Sequence, residues 1–344
     1  MGGRKLMIWS DGFSSSYYIT IVDPDTWRDI DRMEITGGQI ERSTDALLES
    51  ADIDMTELPP SREAWVRIWL DADQDGVTHV PLFTGLTSAP SRDIDGRRES
   101  YKVECYSVLK PIDDILTERG YYIPANVPAP LAAERLLKTG IAPVNVSPSA
   151  NPSRLTEAII AEDGETNLTL AQKVLEAVGW RIRIDGYGTI NVEPSNDEVK
   201  AVFDVNGNDV IEMQVTDECD WYSCPNVLRA ISGDLTAIAR DDNPKSSLST
   251  VARGREIWAE ESSVNLGTNE SLSAYAYRRL KALQSPARTV SYTRRFDPDV
   301  NVGDIVRINH PEIGINGEFR VTSQSLELGY GCRTEEEAVF EQDN

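Results

Sequence analysis

From Tyr101 to Tyr106 the chain alternates, Tyr101, Val103 and Cys105 against Lys102, Glu104 and Tyr106, which is the two-residue period of a strand with one face on a core. The same period runs through residues 63–70, where Val66, Ile68 and Leu70 form one face and Trp65, Arg67 and Trp69 the other. Two indoles on the second face predict that it is covered as well. Residues 5–9 and 17–22 read as strands around an Asp11-Gly12 turn, 28–36 alternates less cleanly before Gly37-Gly38, and 79–84 runs up to Gly85. Six strands in roughly 105 residues, with turn residues between them, predict a small barrel or sandwich.

At Pro111 the strand period stops. Proline donates no backbone hydrogen bond but suits the first turn of a helix, so residues 111–116 predict one, with Ile112, Ile115 and Leu116 as its buried stripe. Residues 131–139 predict a second, with Leu131, Leu136 and Leu137 inward and Gly140 as its stop. A third, at 169–178, places Leu170, Val174, Leu175 and Val178 on one face and ends at Gly179. Residues 180–184, an Asp185-Gly186 turn and 189–192 then read as a hairpin, and 147–153 as a Ser/Pro/Asn loop. Strands are expected at 209–215 and 226–231, and a polar, mobile loop at 241–249. A helix capped by Thr268 or Asn269 follows, with Leu272, Tyr275, Leu280 and Leu283 inward and Pro286 as its end.

The last part returns to strands at 289–295, 301–308, 317–323, 325–328 and 337–340, with Asn316-Gly317 as a hairpin signal. The chain therefore reads as β-rich α+β, with a β-rich part at each end and a mixed α+β middle. At 344 residues it exceeds one ordinary core, so two to four domains are expected.

Composition narrows the chemistry. A formal charge of −23 opposes binding to nucleic-acid phosphates, and the basic clusters, Arg97-Arg98, Arg278-Arg279 and Arg294-Arg295, are only pairs, which serve as solvated faces or ion-pair partners. No apolar run approaches eighteen residues, so no membrane insertion is expected, and the start lacks the pattern of a signal peptide, which points to a soluble chain made in the cytosol. Cys105, Cys219, Cys224 and Cys332 are too scattered for a zinc knuckle or a redox pair and read as reduced, structural thiols. His79 and His310 are the only histidines, too few for a histidine metal centre.

One loop matches half of a ligand set. Asp71, Asp73, Asp75 and Gly76 follow the first half of a calcium loop, but Leu82 stands where a bidentate Glu is needed and strands flank the loop; a bound cation and a solvated hairpin turn are both open. No nucleophile elbow, phosphate loop, zinc-protease helix or dinucleotide fingerprint is present; with 57 acidic residues no single carboxylate pair stands out, and a carboxylate-type glycoside hydrolase, whose two acids leave no compact signature, stays open as a third reading. No cofactor is expected, and the chain reads as a non-enzyme. Exposed members of Trp65, Trp69, Trp180, Trp221 and Trp258 would suit a carbohydrate- or receptor-binding β module, although Trp at half-buried strand positions is more often core.

Three stretches resemble the baseplate and tail-tip hub proteins of tailed phages, a family that also includes contractile injection hubs and the N-terminal part of siphophage tail-associated proteins. They are Gly37-Gly38-Gln-Ile-Glu-Arg-Ser-Thr44 through Ala51-Asp-Ile53; Phe83-Thr-Gly85 with residues 101–109; and residues 301–308 with 317–323. The resemblance implies two tube-type β-barrel domains, at 1–108 and 285–344, around an α+β middle domain at 109–200 and a linking segment of strands and helix at 201–284. It implies a homotrimer whose six barrels make a pseudo-sixfold ring, joining a hexameric tail tube or distal tail protein to a trimeric tip, spike or receptor-binding protein. The chain would then sit in the virion tail tip after assembly in the host cytoplasm, and any enzymatic extension would belong to a partner. In such a ring the acidic charge would keep DNA sliding through the channel without specific binding; general solubility explains the charge equally well.

Overall fold

A computed structural model describes residues 7–9, 11–45, 47–59, 63–88, 90–95, 98–148, 153–195, 198–204, 210–218, 222–262, 264, 271–284 and 287–340. Residues 5 and 6 of the first expected strand, the 149–152 part of the loop at 147–153, Cys219, Trp221, the cap at Thr268 or Asn269 and the stop at Pro286 lie outside them.

The first part forms strands β1 (Ser14–Val22), β2 (Asp29–Glu34), β3 (Gly37–Ser43), β4 (Glu49–Met55), β5 (Trp65–Asp73), β6 (Val77–Thr87), β7 (Ser91–Asp95) and β8 (Arg98–Ser107). The middle carries α1 (Lys110–Asp113), β9 (Tyr122–Ile123), α2 (Ala129–Leu137), β10 (Val144–Val146), β11 (Ile159–Ile160), α3 (Asn167–Glu176), β12 (Trp180–Ile184) and β13 (Ile190–Pro194). Then follow β14 (Val199–Asp204), β15 (Val210–Glu218), β16 (Val227–Ser232), β17 (Leu235–Arg240), α4 (Thr250–Arg253), β18 (Trp258–Glu261), α5 (Leu272–Leu283), β19 (Ala287–Arg294), β20 (Ile305–His310), β21 (Ile315–Glu327) and β22 (Thr334–Phe340). The chain is β-rich, and it divides into two compact units: Met1–Met213 with Tyr292–Glu337, and Gln214–Ser291 with Ala338–Asn344.

In the larger unit the two β-rich ends of the chain share one sheet, with the order β22-β21-β3-β4-β8-β6-β5-β1-β2. The join is β21, thirteen residues long. Its first half pairs with β20, from Ile305↔Arg320 to His310↔Ile315, and its last five residues pair with β3, from Ser323↔Ser43 to Glu327↔Gln39. Sequence alternation predicts two strands here because the buried positions change parity, from Ile315, Phe319 and Val321 to Gln324 and Leu326. The expected hairpin at Asn316-Gly317 is also displaced. The chain turns earlier, through a 3-10 turn at Pro311–Ile313 closed by Gly314 at φ 73°, and Asn316 and Gly317 pair in the strand.

The middle segment packs its helices over β12 and β13, and its core includes Leu136, Leu137, Leu170, Val174 and Ile190 together with Val22 and Trp65 of the first strands. Two expected helices are corrected. The one at Pro111 is a single turn that buries Ile112 alone; Ile115 and Leu116 are exposed, because the chain leaves the helix and Leu116 bridges to Thr166 as extended backbone. The second begins two residues earlier, with Pro in its first turn, so Ala132, Ala133, Leu136 and Leu137 face inward and Leu131 does not. In the third, Thr166 caps the helix by accepting from the Thr169 N–H.

The smaller unit is a three-stranded sheet, β17-β16-β18, with α5 on one face; Leu228, Ala230, Leu272, Ala276 and Leu280 form its core, and Tyr275 and Leu283 pack against it, as the helical stripe predicts. The loop at 241–249 is held in place rather than free. Asn226, with no exposed surface, donates to the carbonyls of Leu248 (3.2 Å) and Arg255 (3.0 Å) and accepts from the N–H of Ile257 (2.7 Å), while Asp241 accepts from Ser246 Oγ. Asn226→Ala removes the partner of three backbone groups, that of Leu248 buried and those of Arg255 and Ile257 part-buried, so it is expected to lower stability by about 2 kcal/mol and to open residues 241–257 first, as faster amide exchange there than elsewhere in the unit.

Candidate functional site: an acidic sheet face over a buried polar row

Strands β8, β4, β3 and β21 lie side by side, and their alternation gives this part of the sheet two faces of opposite character. Ile40, Ala51, Ile53, Val103, Cys105 and Leu326 point inward and are 2% exposed or less. Gln39, Glu41, Asp52, Asp54, Lys102, Glu104, Ser325 and Glu327 point outward. The register sets Glu104 against Asp52, Asp52 against Gln39, and Gln39 against Glu327, one row across four strands. Glu104 and Asp52 are like charges directly opposite each other, a placement that costs stability and is only partly offset by Lys102, 3.5 Å from Asp52. Glu335 and Glu337 extend the exposed acids onto β22.

This face carries an open polar cleft of about 400 Å³ lined by Gly38, Gln39, Asp52, Asp54, Lys102, Ser325, Glu327, Arg333 and Glu335. Gly38 has a structural reason to be glycine: its φ is 147°, and a Cβ there would lie 2.3 Å from the Asp52 carbonyl oxygen.

Behind the acidic face, toward one end of the same strands, the inward positions turn polar. Glu49, Arg42, Gln324, Glu336 and Arg294 form a continuous row across β4, β3, β21, β22 and β19. Arg42 is the register partner of both Glu49 and Gln324. It donates to Gln324 Oε1 (2.7 Å), Asn301 Oδ1 (3.2 Å) and the Leu82 carbonyl (2.5 Å), with Glu49 Oε2 3.7 Å away. Gln324 donates to Glu336 Oε1 (2.6 Å), and Arg294 clamps Glu336 with two bonds, 2.6 and 2.9 Å. The side chains of Arg294 and Glu336 are 1% and 0% exposed. Arg294 also donates to the Arg295 and Val300 carbonyls, so its buried charge is paired and hydrogen-bonded.

Glu49 is less well served. Its Oε1 is buried without a partner. Burial lifts its carboxyl to about 7 against the opposing pull of Arg42, Asp185 pushes the same way as burial, and burial also lowers Arg42. Both groups are disfavoured as ions, so desolvation outweighs their attraction at 3.7 Å. A folded-state value above the unfolded one means the protonated carboxyl's stabilisation is full below about 4.5 and lost as pH rises through about 7. Unfolding free energy of the native chain relative to Glu49→Gln is therefore expected to fall across that window, by up to about 3 kcal/mol. Urea unfolding of both proteins at pH 5 and pH 8 measures it; parallel pH profiles would refute the assignment.

The 301–308 stretch gains a physical role in this unit. Asp304, 6% exposed, closes its own turn by accepting from the Asn301 N–H (3.0 Å) and receives Arg181 of β12 (3.1 Å), which also donates to the Gly303 carbonyl (2.9 Å).

The residues singled out for chemistry separate into other roles. Asp71 accepts from His79 Nδ1 (2.6 Å), Asp73 accepts from the Gly76 N–H (3.1 Å) and so closes the turn, and Asp75 occupies that turn at φ 66°. Among the described residues no group of three His, Cys, Asp or Glu is placed to hold a metal ion. Trp65 and Trp180 are buried, Trp65 beside Trp27 (ring centroids 5.2 Å apart) and Trp180 donating to Ser153 Oγ. Trp69 stacks on Tyr18 and donates to Thr20 Oγ1, whereas Trp258 is exposed. The described thiols, Cys105, Cys224 and Cys332, are buried, and burial lifts Cys105 and Cys332 to about 12. No helix among the described residues is long and apolar enough to cross a membrane.

No protein-family model matches the chain and no curated protein matches it by sequence. Solved structures do match over nearly its whole length. The 43 kDa tail protein of prophage MuSo2 from Shewanella oneidensis is 15% identical, with 94% of this chain and 97% of that one covered and a TM-score of 0.63. A tail protein from Neisseria meningitidis MC58 is 14% identical over 95% and 97%, TM-score 0.68. Prophage tail protein gp18 from Listeria monocytogenes EGD-e is 13% identical over 96% and 95%, TM-score 0.54. The chain thus has the fold of phage tail proteins, as the resemblance at residues 37–53, at 83–85 with 101–109, and at 301–308 with 317–323 implies. Those residues build β3, β4, β8, β20 and β21, which carry much of the acidic face and the polar row.

Proposed function

We propose that the chain is a non-enzymatic structural hub of a phage tail tip or baseplate. Three copies close a pseudo-sixfold ring in which each contributes two tube-like barrels, residues 1–108 and 285–344, and the acidic sheet face lines the channel. The carrying observation is that sequence-distant ends of the chain share one sheet through β21 and β3, with like charges in register on its outer face. A sheet built from both ends suits a ring wall, and a wall of carboxylates repels DNA phosphates, so the genome passes without binding. The ring stacks on a hexameric tail tube or distal tail protein and offers threefold symmetry to a tip, spike or receptor-binding protein, a geometric task that needs no catalytic site.

Native mass spectrometry with electron microscopy of the same sample tests this reading. Trimeric rings with six lobes and a central hole, with Asp52, Glu104 and Glu327 facing the hole, are expected. A chain that stays monomeric both alone and with its tail ring, or a lumen lined mainly by Lys and Arg, overturns it.

A further inference from the structure

The smaller unit, residues 214–291 with 338–344, carries nine Lys and Arg against twelve Asp and Glu, so most of the protein's net charge of −23 resides outside it. On that unit's sheet, the face away from α5 presents Trp258, 47% exposed, on an edge strand. Its Nε1–H donates to Glu256 Oε2 (3.0 Å), which orients the indole and leaves its ring as apolar surface without a polar requirement. Two ion pairs bracket it. Arg229 holds Glu260 at 2.5 Å, with its guanidinium 6.0 Å from the indole centroid, and Arg240 holds Glu256. The register places Trp258 and Arg240 in one row across the sheet, through Val227, and so two strand spacings or roughly 10 Å apart.

We infer that this face is a carbohydrate platform, taking a neutral pyranose of an oligosaccharide with its C–H face on Trp258 and its hydroxyls bridging the Arg229–Glu260 and Arg240–Glu256 pairs. The ion pairs choose the ligand. Each guanidinium has donors, and each carboxylate lone pairs, beyond those used within its pair. An apolar protein surface seated here would strand those groups away from water, at a desolvation penalty that often exceeds the gain from pairing. A sugar brings an apolar face for the indole and a rim of hydroxyls that both donate and accept, which keeps the charged groups satisfied. The near-neutral unit also favours an uncharged ligand over an acidic one.

The test is saturation-transfer NMR on the full chain with maltohexaose, cellohexaose, chitohexaose and mannohexaose. Transfer to the ring protons of at least one is expected. Trp258→Ala should weaken that binding at least about tenfold with an unchanged melting temperature, and Trp258→Phe should retain most of it. Arg240→Ala, which leaves the indole in place, should weaken it several-fold. Transfer to none of the four, or affinity unchanged in Trp258→Ala or Arg240→Ala, overturns the inference. Ring assembly is read separately by mass spectrometry, so failure here leaves the hub reading where it stands.

Discussion

Glu336→Leu is expected to destabilise the chain by about 3–5 kcal/mol, because it leaves the guanidinium of Arg294 buried and without its counter-charge. Arg294→Met should do comparable damage from the other side: the buried Glu336 carboxylate would lose its counter-charge and both guanidinium bonds, keeping the neutral Gln324 amide at Oε1. The informative experiment is the cycle. Replacing both residues, Arg294→Met with Glu336→Leu, removes the desolvation penalty together with the pair, so the double variant should recover a large share of either single loss. Urea unfolding of all four proteins at pH 7 measures this. Simple additivity of the two single effects would mean that the clamp acts through shape and not through charge. The row ties β19 and β22 to β21, and Arg42 carries it on to β3 and β4, so amide exchange should rise first along that join in both single variants.

That row also marks the limit of what the sequence discloses. Alternation says which residues share a face, and it does so correctly for Val66, Ile68 and Leu70 inside β5 and for Val103 and Cys105 inside β8. It places Trp65, Arg67 and Trp69 on a second, covered face, and Arg67 is indeed 2% exposed. It does not say which strand lies alongside. The pairing of residues 323–327 with 39–43 spans nearly the whole chain, and no local pattern encodes it. Glu336 sits in a run of three glutamates that reads as a solvated edge; only the inward parity of Thr334, Glu336 and Ala338 reveals that every second position is buried. Arg294 and Arg295 look alike in sequence, yet Arg294 is 1% exposed and each of its three guanidinium nitrogens has an acceptor. The motif stretches were legible because glycine and turn chemistry is local, as at Gly38 and Asp304. The acidic face was not, because it is assembled by register.

The second large effect is expected at Gly186. The hairpin turn between β12 and β13 is pressed against β5 and β6: Thr84 Oγ1 donates to the Gly186 carbonyl (2.8 Å), and Arg67 (3.1 Å) and the Trp27 indole (2.8 Å) both donate to that of Tyr187. The Tyr187 ring meets Trp69 edge-on, with centroids 5.8 Å apart. A Cβ at Gly186 would lie 1.9 Å from the Pro81 carbonyl oxygen, backbone against backbone, so no side-chain rotation can relieve the overlap. Gly186→Val should therefore lift the turn off the sheet. It would then leave Arg67, 3% exposed at its side chain, with only Asp29 and Thr84 as partners, and it should cost about 3 kcal/mol or more. Amide exchange at residues 185–188 and a drop in melting temperature would report it. An unaltered melting temperature would mean that the turn can dock at a greater distance, and that the glycine serves only the hairpin itself. Because the turn reaches β5 and β6 while Arg181 of the same hairpin holds Asp304, the middle segment braces both β-rich ends of the chain at once, so Gly186→Val should also raise exchange at residues 301–304.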